Sequence, residues 1–228
     1  MLSIPWLCLI VLAQILFTVK SDRSVTCGSA IHLAHTETKY FLLSQQISWG
    51  SGSGQQAVTA TDEKDRNTMW YVKEAHGAAP CVTGDPIKCG DTVRLEHVAT
   101  QRNLHSHTFR SPISGNKEVS AFGEGGIGDE GDNFLVECSS KGGDWKVKSK
   151  VALKHKALRG LLRSAGRDRF NMNNCPHCPI IGHLEVAIGS SESPKAADWW
   201  TAEEGIMVSK FDEDDDDDLG SGGSHDEL

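Results

Sequence analysis

The sequence predicts an all-β protein in which about twelve short antiparallel strands form three copies of one unit, as in a β-trefoil. Apolar residues alternate with polar ones at the head of each copy, which is the period of a strand with one buried face. Glycine, proline, asparagine or serine interrupts the chain roughly every eight to twelve residues, and helical periodicity is not evident. Such a chain must close on itself to leave no exposed strand edge.

The three copies share an apolar-x-apolar-x-His strand, a Leu-x-Ser segment, a turn and a second apolar strand. We place them at residues 24–80, 81–138 and 139–210, and an unrelated β-sandwich is the alternative. The matching segments are Ile31-x-Leu33-x-His35, Leu42-Leu-Ser44 and Val58-Thr-Ala60; then Val93-x-Leu95-x-His97, Leu104-His-Ser106 and Val119-Ser-Ala121; and finally Val151-x-Leu153-x-His155, Leu162-Arg-Ser164 and Val186-Ala-Ile188.

Both ends of the chain predict a location in the endoplasmic reticulum lumen. Residues 1–21 have the apolar run of a secretory signal peptide, with an uncleaved membrane anchor as the alternative. The last four residues, His225-Asp226-Glu227-Leu228, match the signal read by the HDEL/KDEL retrieval receptor. We therefore expect a soluble lumenal protein that is not inserted in the membrane after signal cleavage.

The formal net charge of -8 comes from the C-terminal tail. The acidic run 212–218 and a Gly/Ser stretch form a linker, 211–224, that we expect to be disordered. Three roles are open for the acidic run: a spacer, a weak Ca²⁺ ligand, or a segment that folds back onto the third copy. Residues 141–169 of that copy carry ten Lys and Arg. A nucleic acid is not expected as a partner of this basic face, because the lumen contains none.

Four runs resemble the MIR-domain proteins related to stromal cell-derived factor two: VTCGSAIHLAHTETKYFLLS, GSGSGQQAVTA, VRLEHVATQRNLHSH and EVSAFG. The resemblance is close over residues 24–138 and looser over 145–207. It implies a β-trefoil of three MIR repeats, no catalytic site and no cofactor. It also implies an accessory role in folding quality control, with lumenal Hsp40 and Hsp70 chaperones and misfolded polypeptides as partners.

Six cysteines follow the signal segment, and the oxidising lumen allows them to pair in fifteen ways. Equivalent places in the first two copies favour Cys27 with Cys81 and Cys89 with Cys138. The pair in Cys175-Pro-His-Cys178 is interpreted as a local disulfide. The alternatives are a thiol-disulfide active site, which needs a helix after the first cysteine, and a zinc site aided by His177 or His183.

The histidines divide into two groups. His35, His97 and His155 repeat at one place in each copy, so we expect a structural role and not metal binding. His105 and His107 lie two apart on one strand face, where they can bind a metal or sense pH. With no third ligand nearby in the sequence, we expect both to be surface side chains, and we expect no metal site.

Three functions are compatible with this sequence. A non-enzymatic chaperone cofactor follows from the family resemblance. A lectin-like binder of O-mannosyl or other glycans is the alternative, because MIR domains also occur in protein O-mannosyltransferases, although the sequence lacks a Gln-x-Trp sugar signature. Thiol-disulfide activity at Cys175 and Cys178 is the second alternative. No nucleophile, base and acid set is recognisable, so we expect no enzyme.

Overall fold

The computed structural model describes residues 23–210, which form an all-β fold. The predicted signal peptide, acidic linker and retrieval signal lie outside these residues. The described chain contains four short 3-10 turns and no α-helix. Its twelve strands are β1 (Ala30–His35), β2 (Phe41–Ser48), β3 (Gln56–Thr61), β4 (Met69–Glu74), β5 (Thr92–His97), β6 (Arg102–Arg110), β7 (Lys117–Phe122), β8 (Phe134–Cys138), β9 (Lys150–His155), β10 (Leu162–Arg169), β11 (Leu184–Ile188) and β12 (Trp200–Ile206).

All strand pairs are antiparallel, so the predicted fold class and strand number are confirmed at this level. Six strands close into a ring in the order β1, β4, β5, β8, β9 and β12, and β12 pairs with β1 again. The other six form three hairpins, β2–β3, β6–β7 and β10–β11. Strands β3, β7 and β11 also pair with one another, which joins the three hairpins into one layer over the ring.

The core lies inside the ring and beneath the hairpins. The alternating residues at the head of each copy supply it, because successive side chains of a strand point to opposite faces. Trp70, Trp145, Trp200 and Phe134 are the largest fully buried side chains. A second, smaller apolar cluster of Trp49, Ala57, Phe170 and Ile180 lies apart from this core, among the hairpin turns.

The repeated histidines make one contact three times. His97 stands opposite Trp70 across β4 and β5, and His155 and His35 stand opposite Phe134 and Trp200 in the same way. The ring centroids of these pairs are 5.1 to 5.2 Å apart. Each Nε2 also pairs with a backbone carbonyl oxygen in a 3-10 turn, at Asn67, Gly131 and Ala197. These histidines therefore connect neighbouring parts of the ring.

Candidate functional site

The three turns at the ends of the hairpins form the candidate site, which we call the hairpin cap. It consists of residues 49–55, 111–116 and 170–183, between the strands of the three hairpins. Loops held by a rigid β scaffold are common positions for binding sites. We call the contact between one of these turns and the neighbouring hairpin a junction. The three junctions are built in two different ways.

Two junctions of the hairpin cap use a buried glutamate. Glu185 of β11 accepts hydrogen bonds from the backbone N–H groups of Ile113, at 2.7 Å, and Ser114, at 3.0 Å. Glu118 holds the equivalent position in β7, and its Oε1 accepts from the hydroxyl of Ser53. Each carboxylate thus fixes the turn of the preceding hairpin to its own strand, because hydrogen bonds to charged groups are strong.

Burial has a clear electrostatic effect on Glu118. The side chain is 1% exposed, and Oε2 has no hydrogen-bond partner among the described residues. Loss of hydration raises the pKa of the Glu118 carboxyl, and the Ser53 hydroxyl opposes this shift. Nε2 of His107 lies 3.2 Å from Oε1 without the geometry of a hydrogen bond, and burial lowers the pKa of that imidazole.

The third junction has no glutamate and opens into an apolar cavity. Ala57 of β3 stands where the other hairpins have Glu118 and Glu185, so this position supplies no carboxylate to the turn 170–183. A cavity of 330 Å³ lies there instead. Most of its wall is apolar, formed by Ile47, Trp49, Ala57, Pro112, Phe170, Pro179, Ile180 and the Cys175–Cys178 pair, with Ser48, Gly50, Ser51 and Asn174 completing it.

The cavity wall is held by defined contacts. Nε1–H of Trp49 donates to the carbonyl oxygen of Val119 at 2.9 Å, and the rings of Trp49 and Phe170 are 6.0 Å apart. The backbone N–H of Phe170 donates to the carbonyl of His183, also at 2.9 Å. A disulfide joins Cys175 and Cys178 within the turn. The cavity is therefore part of the folded structure.

Comparison with known proteins identifies the family. Residues 21–168 match the MIR domain. The chain belongs to the MIR-domain family. It is 43% identical over 185 residues to human stromal cell-derived factor 2, a match that covers 81% of this chain and 82% of that protein. The resemblance seen in the sequence is therefore confirmed.

Two solved structures extend the comparison of this MIR-domain chain. The crystal structure of the SDF2-like protein from Arabidopsis thaliana matches with a TM-score of 0.73 and 38% identity, over 82% of this chain and 98% of that one. The yeast protein O-mannosyltransferase Pmt1-Pmt2 complex bound to the sugar donor matches with a TM-score of 0.68 and 25% identity. That match covers 85% of this chain and 28% of the transferase chain.

The longer-range cysteines of this MIR-domain chain form two disulfides. Cys27 is joined to Cys81, and Cys89 is joined to Cys138. These are the pairs that the equivalence of the first two copies favours. Cys27 and Cys89 lie just before ring strands β1 and β5, whereas Cys81 lies in the segment after β4 and Cys138 ends β8. Cys27 belongs to the main core.

The Cys175-Pro-His-Cys178 segment lacks the helix that thiol-disulfide catalysis needs. Turns follow Cys175, and His177 has a positive φ of 60°. The zinc alternative lacks its ligands, because both thiols are in the disulfide. Nδ1 of His183 pairs with the hydroxyl of Thr59 at 2.9 Å, and His177 is exposed. The structure thus gives this segment a place in the wall of the cavity.

The expectation that His105 and His107 are both surface side chains is wrong. The His105 side chain is 7% exposed, and its Nδ1 lies 2.8 Å from Oδ1 of the fully buried Asp132. His107 is 17% exposed. The partner of His105 is supplied by a 3-10 turn that the strand pattern does not predict, so sequence spacing around His105 contains no sign of it.

His105, Asp129 and Asp132 form the one group in residues 23–210 whose side chains lie close enough together to hold a metal ion. Asp132 already accepts from the backbone N–H of Asp129 at 2.9 Å and from Nδ2 of Asn103 at 3.1 Å. Both oxygens of the Asp132 carboxylate therefore have partners within the protein, and Asp132 closes a 3-10 turn through a capping box. We assign this group a structural role.

The basic segment 141–169 is spread over several surfaces. Lys154, Lys156 and Arg159 line a 310 Å³ pocket with Glu192, whereas Lys146 lies 3.5 Å from Asp144 at the far end of the ring. Arg167 lies near the end of β10, with its side chain 81% exposed. Between residues 23 and 210, no helix has the length and apolar character needed to cross a membrane.

The repeated histidines predict a loss of stability in acid. Burial lowers the pKa of His35, His97 and His155, although a backbone carbonyl acceptor at each Nε2 opposes the shift. The unfolded chain, with histidine near its usual value of about 6.5, then binds more protons than the fold. Their contribution to stability is present above about pH 6.5 and is lost as pH falls through the lowered pKa values. We expect the urea midpoint of unfolding to fall between pH 7 and pH 5.

Two variants make this measurement specific. Burial raises the pKa of Glu118, so ionisation of this carboxyl destabilises the fold as pH rises, which is opposite to the effect of the histidines. A Glu118→Gln background removes this contribution. In that background, His97→Gln should flatten the pH dependence, while the exposed His177→Gln should leave it unchanged. If the urea midpoint changes with pH by the same slope in both histidine variants, the buried imidazoles do not cause the effect.

Proposed function

We propose that this MIR-domain protein is a non-enzymatic chaperone cofactor of the endoplasmic reticulum lumen. The observation that carries the proposal is the 43% identity to human stromal cell-derived factor 2 over 81% of the chain. The C-terminal His225–Leu228 sequence supports the lumenal location, through the HDEL/KDEL receptor. The proposed partners are a lumenal Hsp40, the Hsp70 that it serves, and misfolded polypeptides.

We also infer that the scaffold is a β-trefoil of three MIR repeats. The six-stranded ring, the three hairpins and the histidine contact made by His35, His97 and His155 support this assignment. Repeats of this kind offer three similar surfaces, of which the junction with Ala57 differs most from the others. Binding without catalysis requires only a surface of this kind, and no reaction centre.

The cavity of the hairpin cap supports a role in binding non-native chains. Misfolded polypeptides expose apolar side chains that a native protein buries. An apolar cavity that opens among turns can accept one such side chain, because burial of apolar surface is favourable in proportion to its area. Hydrogen bonds of Trp49 and Phe170 hold its wall within the fold, so the site is formed before a ligand arrives.

Crosslinking in intact cells tests the proposal. The full chain, with an affinity tag placed after the signal segment, is expressed and crosslinked in the lumen, and its partners are identified by mass spectrometry. An unrelated secreted protein of similar size with the same signal and HDEL sequence is the control for location. We expect a J-domain protein and an Hsp70 to be enriched over the control. Their absence in repeated experiments would refute the proposed role.

The match to the yeast O-mannosyltransferase complex favours glycan binding as a second candidate. A polar groove of 490 Å³, lined by side chains that include Gln46, Gln55, Arg102 and Glu124, offers hydrogen-bonding groups for a sugar. It has no aromatic side chain on which a sugar ring can stack. A glycan array separates the candidates, because a selective signal for O-mannosyl glycans favours the lectin and no saccharide preference favours the cofactor.

A further inference from the structure

The Cys175–Cys178 disulfide is held by its own turn and not by the ring. All residues of the segment 171–179 are exposed except the two cysteines, which are half-buried. The backbone hydrogen bonds of the cysteines are local, from the N–H of Cys175 to the carbonyl of Asn171 at 2.8 Å and from the N–H of Cys178 to the carbonyl of Cys175 at 3.3 Å. The small apolar cluster anchors the segment only at its two ends, through Phe170 and Ile180.

The ring holds the cysteines of the other two disulfides in place. Cys27 is 3% exposed, and its N–H donates to the carbonyl of Asp85 at 2.9 Å. Cys138 belongs to β8, which pairs with β9 along its length, and the N–H of Cys89 donates to the carbonyl of Gly143 at 2.9 Å. After reduction of either bond, the ring keeps the two thiols close together, which favours re-formation of the disulfide.

The surroundings of the sulfur atoms differ in the same direction. Cys175 and Cys178 lie in the wall of the 330 Å³ cavity, and the residues that line this cavity include no Asp or Glu. By contrast, Sγ of Cys81 lies 3.6 Å from Oε2 of Glu74, whose other oxygen pairs with Arg94. Disulfide exchange begins with attack by a thiolate, which is an anion. The Cys175–Cys178 bond is therefore better placed for this attack.

We propose that Cys175–Cys178 is a reversible redox site, which small thiols of the glutathione class reduce while the Cys27–Cys81 and Cys89–Cys138 disulfides remain. A glutathione thiolate attacks one sulfur of the pair, the S–S bond breaks, and the other cysteine leaves as a thiolate that takes up a proton. A second glutathione thiolate attacks the sulfur of the bound glutathione and releases the first cysteine, which is protonated in turn. Two glutathiones are thereby oxidised to their disulfide, and the two cysteines are reduced.

The reaction changes the state of this protein and is not catalysis of a substrate. The segment lacks the helix that stabilises the thiolate in thiol-disulfide catalysts, so we assign it one exchange for each change of state. The site needs neither an Hsp40 nor an Hsp70. It therefore goes beyond the proposed function, and its failure would leave that function standing.

Reduction changes the wall of the apolar cavity. The covalent link across the segment 171–179 is lost, and an exposed segment with mainly local hydrogen bonds opens at little cost. The base of the turn stays closed, because the N–H of Gly182 donates to the carbonyl of Phe170 at 2.9 Å. Trp49 also stays in place through its hydrogen bond to Val119. The site thus couples the thiol redox state to the shape of the hairpin cap.

A thiol titration of the purified, folded mature chain tests the proposal. The protein is equilibrated in glutathione buffers that become steadily more reducing, free thiols are trapped with N-ethylmaleimide, and mass spectrometry of the peptides locates them. The scale is the squared glutathione concentration divided by that of its disulfide. We expect Cys175 and Cys178 to be half reduced at a value at least about tenfold lower than the other four cysteines, with a glutathione adduct on one of the pair at intermediate values.

Three results of this titration would overturn the proposal. They are reduction of all three disulfides at one value, reduction of Cys175–Cys178 after another pair, and reduction only under conditions that unfold the chain. Circular dichroism of each sample separates the last case from reduction of the folded protein. The measurement uses the wild-type chain, so its outcome does not depend on whether a variant folds.

Trp49 reports the change in the cavity wall. Both cysteines pack against the cluster that contains its indole, and a disulfide quenches the fluorescence of a neighbouring indole. We expect the emission to rise at the buffer value that reduces Cys175 and Cys178, and the rise to be absent from the Trp49→Phe protein. Trp199→Phe, which removes a half-buried tryptophan outside this cluster, should keep it. A rise of equal size in both variants would overturn the coupling to the cavity.

Discussion

Replacement of Trp70 by alanine is expected to lower the free energy of unfolding by about 4 kcal/mol. The indole is fully buried at the start of β4, in the main core of the ring. Its Nε1–H donates to the carbonyl oxygen of Leu42 at 3.0 Å, and its ring centroid lies 5.1 Å from that of His97. Alanine leaves a cavity, removes the ring contact and leaves the Leu42 carbonyl without this donor.

Tyr71 provides the control for this substitution. It is the next residue of the same strand, and 37% of it is exposed, because successive side chains of a strand point to opposite faces. We expect Tyr71→Ala to lower the free energy of unfolding by at most about 1 kcal/mol. Urea unfolding of both variants, followed by circular dichroism at one pH, measures the difference. Equal losses would mean that the assigned strand face is incorrect.

The sequence predicts the ring well because the ring depends on local patterns. The alternation in Val93-x-Leu95-x-His97 determines which side chains face inward, and the same alternation at the other heads gives the strand number and the antiparallel class. The repetition of the histidine also indicates an architectural role. Repetition alone does not show the contacts that the structure shows. Each repeated imidazole stands beside an aromatic side chain across the strand pair and pairs with a backbone carbonyl oxygen in a 3-10 turn.

The candidate site is harder to predict from sequence, because its contacts join distant parts of the chain. Glu185 binds turn residues 71 and 72 positions before it, and no local spacing relates them. Comparison of the copies does contain a usable signal: Ala57, Glu118 and Glu185 occupy one place, and a change from glutamate to alanine there indicates a different junction. The burial of His105 is not visible in the sequence for a similar reason, since Asp132 lies 27 residues away in a turn without strand character.

The disulfide between Cys89 and Cys138 is expected to contribute about 4 kcal/mol to the free energy of unfolding. Its two cysteines are 49 residues apart, and closing a loop of this length removes much of the freedom of the unfolded chain. Both cysteines are only partly buried, so replacement by alanine removes little packing. We therefore expect the Cys89→Ala/Cys138→Ala protein to unfold at a much lower urea concentration than the wild type.

The Cys175–Cys178 disulfide is the matched control, because only three positions separate its cysteines. The same chain-entropy relation gives about 1.5 kcal/mol for such a loop, so Cys175→Ser/Cys178→Ser should cost less than half as much. Similar losses in the two double variants would show that local packing, and not loop closure, determines the effect. The expected difference separates two roles: the Cys89–Cys138 bond stabilises the ring, whereas the Cys175–Cys178 bond shapes the turn that walls the apolar cavity.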